Sequence, residues 1–83
     1  MSQVIDSLSF LANNASQMVA YAATQALQYQ QALQTGQISQ GEYLDLMNDL
    51  AANVRIAQAA DDLHNKILLE QCLNAAIAVA GAV

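Results

Sequence analysis

The sequence predicts an all-α protein: an antiparallel two-helix hairpin that assembles into a helical bundle oligomer. Three observations predict it. No proline occurs in the 83 residues, and proline is the residue that most strongly breaks a helix interior. Apolar residues recur at helical spacing along both halves of the chain. Between the halves, residues 34–43 carry a helix stop followed at once by a helix start.

The first helix is expected over about residues 3–34. Its stripe runs Val4, Leu8, Leu11, Ala15, Met18, Ala22, Ala26, Tyr29 and Leu33, with steps of three and four averaging about 3.6, the period of a straight helix. A second stripe, Ile5, Ala12, Val19, Ala23 and Leu27, widens the apolar face, which suits a helix with neighbours on two sides. Gln17, Gln25, Gln28 and Gln31 fall on the other face, polar without charge. Ser2 is placed to cap the start, and Asp6 lies near the positive end of the helix dipole. Asn13-Asn14 lowers helix propensity without the force of a proline, so the helix is expected to run through it.

The turn is expected at residues 35–39. Gly36 can take the left-handed conformation just past a last helical turn. Ser39 and Glu42 form a capping box, hydroxyl to the Glu42 amide and carboxylate back to the Ser39 amide. Ile38 before the cap and Tyr43 at the fourth helical position are placed as a hydrophobic staple.

A second helix should then run over about residues 40–80. Its stripe reads Tyr43, Leu46, Met47, Leu50, Val54, Ala57, Ala60, Leu63 and Ile67. Asp62, Lys66 and Glu70, four residues apart, form a solvated charge ladder. A break near Asp61-Asp62, giving three helices, is the alternative. At about 1.5 Å per residue the two arms are roughly 45 and 60 Å long. The end of the longer arm therefore overhangs. There the polar residues thin out, leaving Ile67, Leu68, Leu69, Cys72, Leu73, Ala76, Ile77, Val79 and Ala80 as the expected self-association surface.

Composition bounds the rest. Residues 1–83 make a single domain, 55% hydrophobic but only 11% charged, against roughly 25% charged in an ordinary globular domain. Much of the apolar part is alanine, which favours helix but buries little area. Two such helices packed only on each other barely offset their chain entropy, so further copies or partners are expected. The net charge is −5 with Arg55 and Lys66 the only strong cations, so no basic patch exists for nucleic acid or an anionic membrane. The apolar terminus from Cys72 to Val83 gives about 18 Å of helix against a hydrocarbon core of about 30 Å, which disfavours stable membrane insertion.

Chemistry is sparse. His64 is the one histidine, with Asp61 the one carboxylate a turn behind it, whereas a metal site needs three or four ligands. Asp45 and Asp49 read as dipole-matched charge, and Cys72 as a small buried hydrophobe that cannot form an intramolecular disulfide. Tyr21, Tyr29 and Tyr43 read as packing residues with wet hydroxyls. No nucleophile–base pair or phosphate loop is visible, so neither an enzyme nor a cofactor is expected. No basic leader precedes a long apolar run, so synthesis in a reducing cytoplasm is expected.

The stretch Gly36-Gln37-Ile38-Ser39-Gln40-Gly41-Glu42-Tyr43-Leu44-Asp45-Leu46 resembles hairpin turns of small bacteriophage-encoded helical virion proteins. The Ala- and Gln-rich helices and Ala-Gly terminus are similar to segments of phage tape-measure and ejected internal proteins. That resemblance implies a structural virion or tail component. The expected function is thus a non-enzymatic, self-associating structural or assembly protein. A small adaptor or chaperone that binds a partner's amphipathic helix is the first alternative. A secretion-type filament subunit, disfavoured by the missing proline turn, and a membrane-active peptide, disfavoured by the negative charge, are the others.

Overall fold

The computed structural model describes residues 2–57 and 62–81. Four helices, rather than two or three, form in order: α1 (Ser2–Asn14), α2 (Gln17–Gln34), α3 (Gln40–Ile56) and α4 (Leu63–Gly81). The all-α class stands, and each expected long helix is divided in two. Asp61 and Ala60, on which the expected break and part of the stripe fall, lie outside the described residues, as do Ala82 and Val83.

The α2–α3 turn is built by backbone geometry that only a few residues permit. Gly36 sits at φ 78°, the left-handed region that glycine enters without Cβ strain. Its N–H donates to Leu33 O at 3.2 Å and the Gln37 N–H to Ala32 O at 2.9 Å, the paired bonds of a Schellman end. Three residues on, the Glu42 N–H donates to Ser39 Oγ at 3.1 Å and the Ser39 N–H to Glu42 Oε1 at 3.0 Å. Both arms of the capping box are therefore made. The Ser39 amide, then its hydroxyl, hold the Glu42 carboxyl below the usual carboxylate range.

A further break, where one continuous helix is expected, lies between α1 and α2. Asn13 and Asn14 turn their side-chain amides back onto Ser9 O and Phe10 O at 2.7 and 2.9 Å, offering the backbone local partners that weaken a helix end. Ser16 then adopts φ −59° and ψ 163° and starts α2. Its amide is one of the donors a helix start leaves unpaired, and it donates to Asp62 Oδ2, 2.7 Å away and 46 positions later. The partner that stabilises this break is thus tertiary. Ala57, at φ −71° and ψ 143°, ends α3 in extended backbone.

α4 packs against α1, α2 and α3, and α2 against α1 and α3, so that the four helices close around one core. The ends are tied across helices. Gln40 Nε2, at the start of α3, donates to Ala80 O at the end of α4. Lys66 Nζ, in the second turn of α4, donates to Arg55 O at the end of α3 at 3.1 Å, where the helix dipole favours a cation. The expected Asp62–Lys66–Glu70 ladder is replaced by these contacts, since Asp62 and Lys66 each turn to another helix.

No arm overhangs. The radius of gyration is 11.9 Å, matching the roughly 12 Å expected for a closed domain of this length. The core draws on all four helices, with Leu8, Leu11, Val19, Tyr43, Met47, Leu69 and Leu73 among its fully enclosed side chains. The first-helix stripes point into it as expected, with Val4, Ala15, Met18, Tyr29 and Leu33 packed at its margin. In the second half the expected stripe drifts off the core. Val54 to Leu63 is nine residues, two and a half helical turns at about 3.6 residues each, so in one helix the two would face opposite sides. The helix is in fact broken between them, and in α4 Leu63 and Ile67 are exposed while Leu69, Cys72, Leu73, Ala76 and Ala80 take the interior.

Candidate functional site

The closed core changes the standing of the α4 residues. Leu69, Cys72, Leu73, Ala76 and Ala80 are buried within the chain's own bundle, with Leu68 and Ile77 packed at its edge. Only Ile67 and Val79 of that expected surface remain exposed large side chains. The reason is the fold-back at Ser16 and Ala57, which gives α4 neighbours on three helices. Among the described residues the expected exposed overhang is therefore absent. Cys72, 7% exposed, has a thiol pushed up by burial, with a Ser7 hydrogen bond opposing, and so is poorly placed to ionise.

One open hollow of about 230 Å³ remains on the α1–α4 seam, lined by Val4, Ser7, Leu68, Gln71, Cys72 and Ala75; a longer open surface lies between α2 and α3. Two adjoining hollows of about 270 and 250 Å³ share Tyr21, Leu50 and Asn53. Toward the hairpin they continue to Gln25, Tyr29, Leu46 and Asp49. Toward the other end they continue to Met18, Ala22, Val54 and Ala57. The floor, Ala22 and Val54, is part of the core. The wall is not: Tyr21 is 66% exposed, and its hydroxyl oxygen accepts from Gln25 Nε2 at 3.1 Å. Alanine explains the depression, since Ala22 fills less of the helix–helix gap than the Tyr43 and Met47 side chains nearer the turn.

That hairpin end carries a buried polar pair. Tyr43 is fully enclosed and its hydroxyl donates to Gln30 Oε1 at 2.7 Å. The hydroxyl was expected to be wet; instead Gln30, 9% exposed, receives it from α2. Burial pushes the Tyr43 phenol above its ordinary pKa. Gln30 was legible in principle, since four residues beyond Ala26 it lies on the core stripe.

At the opposite end, Asp62 accepts from Ser16 N and from Asn65 Nδ2, the latter at 2.8 Å. The Ser16 amide comes first in holding its carboxyl below the usual range, with the neighbouring Ser16 hydroxyl, Asn65 and His64 adding to it. Ser16 Oγ itself is buried without a partner in bonding geometry, so its influence on Asp62 is one of proximity. A carboxylate whose folded pKa is lowered stabilises the fold above its unfolded pKa and ceases to as pH falls through the folded value. Asp62 and Glu42 both have this sign. The urea midpoint is therefore expected to fall on acidification below about pH 4. Asp62→Asn should lower the midpoint at pH 7 and flatten part of that fall; an unchanged acid limb would show that the Ser16 contact is not responsible.

Other sequence candidates do not converge. Asp45 and Asp49 are exposed one turn apart on α3, and His64 is exposed on α4. Among the described residues no group of three His, Cys, Asp or Glu could hold a metal, and no helix is long and apolar enough to cross a membrane. Arg55 lines a small cleft with Ala51, Glu70 and Asn74 on the α3–α4 side, away from the groove. No family model, curated protein or solved structure matches the chain.

Proposed function

We propose that this chain is a non-enzymatic interaction module of the structural or assembly kind, a small bundle that works by docking against other protein surfaces. The α2–α3 groove carries the reading. It is apolar at its base, has a largely exposed aromatic wall, and is rimmed by Gln25, Asn53 and Asp49, the pattern of a site that receives a helix. The bundle has already enclosed its own core, so this surface is not needed to complete it. This favours the adaptor form of the function.

A second reading is self-association of copies, in the setting of a bacteriophage virion that the sequence resemblance implies. One observation favours it. Ile56 (79% exposed) ends α3 and Leu63 (55% exposed) begins α4, placing an apolar patch at one end of the bundle. The neutral Gln17, Gln28 and Gln31 side chains, all exposed on α2, add no like-charge repulsion to such packing.

Light scattering over a concentration series separates the two. Self-association predicts a mass that rises with concentration and returns to monomer in Ile56→Asp. Docking to a different protein predicts a folded monomer throughout. An oligomer broken by Tyr21→Asp but not by Ile56→Asp would assign the groove to a second copy.

A further inference from the structure

We infer that the α2–α3 groove receives a basic amphipathic helix of about three turns from another protein. The inference rests on the docking reading above and adds the occupant. Length comes first: the α2 wall runs from Met18 to Tyr29, about 16 Å of helix. Antiparallel helices bound it, so a third helix can lie along it with its apolar side toward Tyr21 and Leu50.

Charge then selects the occupant. Asp49 lines the groove and Asp45 stands exposed one turn along α3. The chain's two strong cations are both turned away. Lys66 Nζ binds Arg55 O, and the Arg55 side chain lines the α3–α4 cleft beside Glu70. The groove face thus presents carboxylate with no compensating cation, on a chain of net charge −5. A second copy seated groove to groove adds its own Asp49 to the same interface with no cation to offset it, which disfavours pairing. An apolar helix flanked by Lys or Arg satisfies both the floor and the rim.

The test uses the full chain, isotope-labelled for NMR, and three 14-residue synthetic peptides. One is a Leu/Lys peptide with helical period, one a Leu/Glu peptide of the same pattern, one a scrambled Leu/Lys peptide. The expected result is that the patterned Leu/Lys peptide shifts the amides of Tyr21, Gln25, Leu50 and Asn53, and the other two do not. Asp49→Asn should weaken that binding roughly ten-fold, and Tyr21→Ala, at an exposed position that leaves the fold intact by circular dichroism, at least as much. Equal binding by the scrambled peptide, or shifts spread over the acidic surface, would overturn the inference by reducing it to charge attraction. Groove shifts with the Leu/Glu peptide, or on self-association, would overturn the basic occupant while leaving the docking reading standing. No groove shift under any of these conditions would remove both.

Discussion

Leu73→Ala is expected to cost about 2–5 kcal/mol, the range for emptying an enclosed leucine site, on a domain whose whole stability should be about 4–12 kcal/mol. Leu73 is fully buried and sits where α4 meets the other helices. The variant should therefore show a markedly lower urea midpoint, with loss of helix signal in the same transition. Deleting residues 72–83 goes further, since it removes Cys72, Leu73, Ala76 and Ala80 from the core. The truncated chain should be largely unfolded, with far-ultraviolet circular dichroism well below that of the full chain. A free hairpin with a sticky overhang predicts the reverse, a shortened chain that keeps its helicity and merely loses mass in solution. A folded, helical truncated monomer would count decisively against α4 as a core helix.

How much of this was written in the sequence depends on the range of the interaction concerned. The α2–α3 turn was legible because its determinants are local. Gly36 acts on the residues just before it, and Ser39 and Glu42 act on each other across one helical turn. The all-α class was legible for the same reason, from propensity and period. The α1–α2 break was not. Asn13, Asn14 and Ser16 are permissive rather than decisive, and the group that caps the new helix start is Asp62, from another part of the chain. The end of α4 is likewise met by Gln40, which its position in the sequence marks only as the first helical residue after a cap.

The groove illustrates a further limit. Periodicity shows that the first helix has a wide apolar face, but which part of a wide face remains open depends on how four helices share their contacts. Val19 and Ala23 went inside, while Tyr21 stayed out beside them. Once the chain is broken twice more, beside the expected turn, a sequence poor in large apolar residues becomes able to enclose a core. Five residues of the apolar end, Leu69, Cys72, Leu73, Ala76 and Ala80, are then enclosed within one chain. The proposed docking surface is accordingly the side of α2 and α3 rather than the enclosed residues of α4.

The second large effect is expected at Tyr43→Phe. Removing one oxygen leaves the ring packed but takes the donor from Gln30 Oε1, an acceptor in a side chain only 9% exposed. A buried acceptor that loses its partner costs about 1–3 kcal/mol, more than the net worth of the hydrogen bond itself. The asymmetry supplies the check. Gln30→Met should also destabilise, because it strands the Tyr43 hydroxyl in an enclosed position. The double variant removes both polar partners while keeping their shape, so it should be more stable than the sum of the two losses predicts. Urea denaturation of the four proteins measures the coupling directly. Strict additivity would mean that the two side chains do not depend on each other, and the α2–α3 interface would then owe its register to the turn and the apolar contacts alone.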